Sequence, residues 1–125
     1  MTSRPAPGRQ ASEKRGRRAE SLAALMLRLK GYAILTRRYR CPVGEIDLVA
    51  RRGHTLAMVE VKARGAGAED AAFAITPHQQ QRIARAAEHF LAANPRYTDF
   101  QLRFDAVLAV PGRWPRHVPD AWRID

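Results

Sequence analysis

The sequence predicts an α/β fold: a small mixed sheet flanked by two helices, in the element order α, β, β, β, α, β. Three observations predict it. Segments 18–30 and 78–93 carry apolar residues at helical three-and-four spacing, and four other segments carry apolar, β-branched runs bounded by Gly or Pro. Those strands are too apolar to leave either face bare, so a helix on each side is the economical cover. At 125 residues the chain has room for one core and not for two.

Residues 1–17 mix prolines and Gly8 with Arg4, Arg9, Lys14, Arg15 and Arg17, opposed only by Glu13. They show no core-forming period and read as a disordered basic arm. In 18–30, Leu22, Leu25, Met26 and Leu29 recur on one helix face, and Gly31 supplies a C-terminal stop. Residues 32–40 form a first strand ended by Pro42 and Gly44, and 45–51 a second. Arg52-Gly53 read as a tight turn into a third strand, 55–62. Gly65 and Gly67 mark a loop. Helix 78–93 buries Ile83, Ala86, Ala87, Phe90 and Leu91 and stops at Asn94-Pro95, and 102–110 is the last strand. An irregular, proline-containing tail, 111–125, completes a single domain over 18–125.

Composition excludes several classes. With 46% hydrophobic and 27% charged residues the chain is neither disordered throughout nor fibrous. No apolar run is long enough to cross a bilayer and no secretory leader is visible, so a cytoplasmic protein without a membrane partner is expected. Cys41 is the only cysteine, which rules out an internal disulfide and a multi-cysteine zinc centre. The balance of 22 basic against 12 acidic residues, net +10, points to a polyanion as partner. Arginine dominates that charge, and its planar fork suits phosphate.

The stretch 44–62 carries the chemistry. With Arg52-Gly53 as the turn, Asp47 falls opposite Met58 and Glu45 opposite Glu60. Alternation then gathers Glu45, Asp47, Glu60 and Lys62 on one face, with Asp47 and Glu60 diagonal neighbours roughly 7 Å apart. A slip of one residue would scatter them. Val49, Leu56 and Met58 share that face nearer the turn, so it is covered there and opens as a cleft at its charged end. Clustered carboxylates repel unless a cation offsets them, and Mg²⁺ needs only one or two carboxylates plus substrate phosphate. A nearby lysine can orient water or stabilise developing negative charge. The same spacing also fits exposed cross-strand ion pairs on a half-solvated hairpin, and on spacing alone both readings stand.

Gly44-Glu45-Ile46-Asp47-Leu48, Val59-Glu60-Val61-Lys62-Ala63-Arg64 and Arg103-Phe104-Asp105 resemble the YraN family of bacterial proteins. So do Ala19-Glu20, Gly31-Tyr32 and Ile34-Leu35 around the first helix. Asp47, followed thirteen residues later by Glu60-Val61-Lys62, is similar to the PD-(D/E)-x-K pattern of restriction-endonuclease-like nucleases. Together these blocks span about 16–122. The resemblance implies a restriction-endonuclease-like αβββαβ core and a Mg²⁺- or Mn²⁺-dependent endonuclease acting on DNA, branched or damaged DNA included, in preference to RNA. It implies Asp47 and Glu60 as metal carboxylates, the Val61 carbonyl as a further ligand, Lys62 as the catalytic lysine and Glu20 as an accessory acid. Relatives of this fold often work as homodimers. The sequence departs from the pattern at Ile46, where the superfamily name has proline, at Arg38, where the family often has asparagine, and at Gln79, where it often has lysine. A fold does not establish an activity, so a catalytically silent nucleic-acid-binding or adaptor protein is the alternative.

Arg64, Arg38, Arg40 and Arg82 are the candidate nucleic-acid contacts, each with a plain surface or edge-strand role as its counterpart. Asp105, among apolar neighbours, reads as a buried, hydrogen-bonded acid supporting the sheet. His54, His78, His89 and His117 lack metal-ligand spacing, and Trp114 and Trp122 read as packing the tail onto the core. Neither a phosphate-cradling glycine loop nor a serine or cysteine with a credible base is present.

Overall fold

A computed structural model describes the backbone of residues 7–63 and 75–124, with side chains for 16–63 and 75–124. The elements follow the order α1 (Pro7–Leu29), β1 (Ala33–Cys41), β2 (Gly44–Arg52), β3 (Thr55–Ala63), α2 (Pro77–Ala93), β4 (Gln101–Ala109) and β5 (Arg116–Trp122), with a 3-10 turn at Pro95–Tyr97. The five strands form one sheet in the order β1-β2-β3-β4-β5. Only β3 and β4 are parallel, as the crossover through α2 requires, and the other neighbours are antiparallel. The expected α/β class and αβββαβ order are therefore present, with one strand added.

That strand, β5, replaces the expected irregular tail. Pro119 hid it, since proline breaks a ladder anywhere but on an edge, and β5 is the edge strand beside β4. Helix α1 also departs from expectation. It starts at Pro7, where arginine, glutamate, glutamine and lysine favour helix without any apolar period. Part of the expected arm, 7–17, is thus helical, and 1–6 lie outside the described residues. Nor does α1 bury its leucine face: Leu25 and Leu29 are exposed, while Ala19, Ala23, Ala24, Met26 and Leu27 are buried. Alanines bring the helix axis closer to the sheet than leucines would allow.

The single domain's core is two hydrophobic clusters, one on each face of the sheet. On one, α1 packs Ala23, Ala24 and Leu27 against Leu48, Ala50, Ala57, Val59 and Val107. On the other, α2 packs Ile83, Ala86, Ala87 and Phe90 against Ile46, Val49, Leu56, Met58 and Phe104. A capping box fixes the start of α2: Gln79 N–H donates to Thr76 Oγ1 at 3.2 Å and Thr76 N–H donates to Gln79 Oε1 at 3.1 Å.

The β2–β3 loop is Gly53-His54, closing the pair Arg52↔Thr55, so Val49 faces Met58 and Leu48 faces Val59. This register lies two residues from the one expected with an Arg52-Gly53 turn. A shift of two leaves each side chain on its face, where a shift of one would have reversed them all. The ladder ends at Leu48↔Val59, short of Asp47 and Glu60. At that level β2 also loses its alternation, because Ile46 joins the α2 core while Leu48 joins the α1 core. Across on β1, Arg38 interrupts the pairs Arg37↔Leu48 and Tyr39↔Ile46 with a left-handed φ of 53°.

A buried polar network locks the far side. Asp105, fully buried, accepts from Arg103 Nε at 2.8 Å, Arg103 Nη2 at 2.7 Å, Asp120 N–H at 2.9 Å and His117 Nε2 at 2.8 Å. Burial alone would raise its pKa, but His117, Arg103 and the Asp120 amide together hold it down at about 2. Arg103 also donates to Tyr32 Oη at 2.6 Å, and Lys30 donates to the remaining ring nitrogen of His117. β4, β5 and the end of α1 are thus joined through one carboxylate, the supporting acid expected at Asp105.

Gly44 holds β2 against α2 with no room to spare. A Cβ there would lie 2.3 Å from the Arg82 carbonyl oxygen, a backbone atom that cannot rotate away. Gly44→Ala is expected to lower stability by about 1–3 kcal/mol in urea unfolding. Gly16→Ala, inside α1 and with nothing within 4 Å of the new methyl, is the control, expected to keep or raise stability because alanine favours helix over glycine. Equal midpoints for the two variants would contradict the close packing.

Candidate functional site

Where the β2–β3 ladder stops, the freed Val61 N–H is taken by a side chain: it donates to Asp47 Oδ2 at 2.8 Å. Asp47 thereby closes the fork between the strands. Glu60, next on β3, lies near enough to Asp47 for that carboxylate's charge to raise its pKa. Two residues on and on the same side of the strand, Lys62 sets its Nζ 3.6 Å from Glu60 Oε1. Both side chains are withdrawn from solvent, Glu60 to 17% exposure and Lys62 to 12%. Of the acids expected on one face, Asp47 and Glu60 are brought together with Lys62. Glu45 is not: it lies exposed and pairs loosely with Arg40, at 3.6 Å.

The electrostatics follow from that enclosure. Burial, then Asp47's charge, pushes the Glu60 pKa up, and Lys62 offsets only part of it. Burial likewise pushes Asp47 up, against the Val61 amide, with Glu20 and Glu45 adding to the rise and Lys62 opposing it. The pair therefore retains a proton well above the usual carboxylate range.

Beside this pair a cavity of about 300 Å³ opens toward α1, lined by Arg17, Arg38 and Arg40 together with Glu20, Glu45, Ile46 and Asp47. Glu20 reaches it from α1 and is only 8% exposed. Both of its carboxylate oxygens receive Arg38 Nε, at 2.9 Å and 3.2 Å. Arg37 turns to the same helix, donating to Ser21 Oγ at 2.9 Å. Of the candidate nucleic-acid contacts, Arg38 and Arg40 line the cavity, Arg82 sits on α2 away from it, and Arg64 lies outside the described residues. Arg17 was missed, because the sequence places it in the arm. Once α1 extends to Pro7, its i, i+3 spacing from Glu20 puts both on one helix face.

Among the described residues no group of three or more His, Cys, Asp and Glu side chains is arranged to hold a metal. The donor set is instead a carboxylate pair, and its chemistry fits a hard divalent ion, since two enclosed carboxylates that retain a proton can take a cation in its place. A larger cavity, about 530 Å³, lies by Phe104 and Trp122. Of its charged groups, Asp120 binds Arg123 and Arg103 binds Asp105, while Glu88 is exposed.

Among known proteins, residues 19–109 match the model of the Uncharacterised protein family UPF0102, the family also called YraN. A UPF0102 protein from Parvibaculum lavamentivorans is 59% identical over 119 residues, covering 95% of this chain and 88% of the relative. One from Rhodopseudomonas palustris (strain HaA2) is 56% identical over 118 residues, 94% of this chain and 91% of its own. One from Paramagnetospirillum magneticum is 53% identical over 125 residues, 97% and 96% respectively. The matched span contains Glu20, Arg38, Asp47, Glu60, Lys62 and Asp105 and leaves out Arg17. No described helix is long and apolar enough to cross a membrane.

The raised carboxyls make a signed prediction. A group whose folded pKa lies above its unfolded one contributes stability that is complete below about pH 4 and is lost as pH rises through the folded titration. In chelator, Glu60→Gln should therefore be more stable than the parent at pH 8, by at least about 1 kcal/mol, with the gain shrinking toward pH 4. Urea unfolding across that range measures it. A Gln variant less stable than the parent at pH 8 would contradict the enclosed pair.

Proposed function

Starting from a chain that belongs to the UPF0102 family, we propose that it is a Mg²⁺- or Mn²⁺-dependent endonuclease that hydrolyses phosphodiester bonds in DNA. The observation that carries this reading is the enclosed Asp47–Glu60 pair with Lys62 at the fork of β2 and β3. Such a trio combines a seat for a divalent ion with a cation aimed at charge that develops on phosphate.

Asp47 and Glu60 would hold the ion, with the Val61 carbonyl as a further ligand. When bound, the ion supplies Lewis acidity toward the phosphoryl oxygens and a lowered pKa for attacking water. Asp47 is already oriented by the Val61 amide, so its carboxylate needs no reorganisation. Lys62, tethered to Glu60 and largely shielded from solvent, orients the water or balances the charge gathering on the phosphate. Arg17 and Arg40, at the cavity rim, would grip the flanking phosphodiester backbone. The net charge of +10 steers the polyanion toward the site and favours DNA over a neutral substrate.

The test uses single-stranded, duplex and branched DNA, and RNA, incubated with the protein in Mg²⁺ or Mn²⁺. Cleavage is expected on DNA, with a loss of at least about 100-fold in both Asp47→Ala and Lys62→Ala. If nothing is cut while binding persists and weakens steeply with salt, the protein is a nucleic-acid-binding or adaptor protein on a nuclease-like fold.

A further inference from the structure

The charge around the carboxylate pair bears on how many ions the site would accept, an inference that rests on the nuclease reading above. Glu20 is the third acid of the cavity, and a second divalent ion near Asp47 would have to draw on it. Its carboxylate is already engaged: Arg38 Nε lies 2.9 Å and 3.2 Å from the two oxygens, and the side chain is 11% exposed. The arginine is held there by its backbone as well. Its φ of 53° is left-handed, a conformation that a non-glycine residue keeps only where its surroundings fix it. It also sits on β1 at the level of Asp47, between the pairs Arg37↔Leu48 and Tyr39↔Ile46.

A guanidinium is charged at every accessible pH and takes a carboxylate through fixed N–H donors. Paired with Glu20 in the cavity that Asp47 also lines, it supplies the positive charge that another ion would bring, and it repels such an ion. We propose that Arg38 occupies the second cation position, so that the site takes one divalent ion, through Asp47 and Glu60, with the Arg38–Glu20 pair as a fixed charge beside it.

Mn²⁺ bound per chain, read by electron paramagnetic resonance and by calorimetry at saturating Mn²⁺, tests this without any substrate. The parent is expected to bind one ion and Arg38→Gly two, glycine being at ease with the left-handed backbone. Adding Glu20→Gln to Arg38→Gly should return the count to one. Arg38→Asn, which tolerates the same backbone, gives an independent version if the glycine variant folds poorly. Two ions in the parent, or one in every Arg38 variant, would overturn the inference and leave the nuclease reading standing. No ion in any of the proteins would overturn both.

Discussion

Two carboxyl groups forced together out of water govern the design of this protein's charged end. Asp47 and Glu60 meet where β2 and β3 part; burial raises the pKa of both, and the charge of Asp47 raises Glu60 further. The surroundings hold that tension in place. The Val61 amide anchors Asp47, Lys62 partly balances Glu60, and Gly44 lets β2 sit hard against α2 just before the fork. Arg38 across the sheet and Ile46 beside it mark where regular pleating gives way.

Asp105 makes the contrast. It is more deeply buried than either acid of the fork, yet its pKa is lowered, because it accepts hydrogen bonds from Arg103, His117 and the Asp120 amide. Every acceptor site there has a partner, and the result is a structural joint between β4, β5 and α1. At the fork the hydrogen bonds are too few to offset burial, so the carboxyl pKa values stay raised. The same chemical group is held ionised in one place and keeps its proton longer in the other, and the number of donors aimed at it decides which.

Much of this was legible in the residue pattern, and the failures have physical causes. The pairing of Asp47 with Glu60 survived a misplaced turn because a two-residue displacement preserves the side of the sheet. Alternation could not reveal that β2 changes face at Asp47, since that depends on Arg38 adopting a left-handed backbone in the neighbouring strand. The asparagine that the family often has at that position was the available hint, asparagine being among the residues most at ease there. Of the residues read as one face of α1, Met26 is buried but Leu25 and Leu29 are exposed, because close approach to a sheet favours Ala19, Ala23 and Ala24. Arg17 and β5 were lost to composition, the one to its basic neighbours and the other to Pro119.

The central claim is that the fork between β2 and β3 is a seat for a divalent ion. Anomalous diffraction from crystals equilibrated with Mn²⁺ measures it most directly. The predicted result is a peak between the Asp47 and Glu60 carboxyls. Crystals saturated in Mn²⁺ that show no peak there would contradict it.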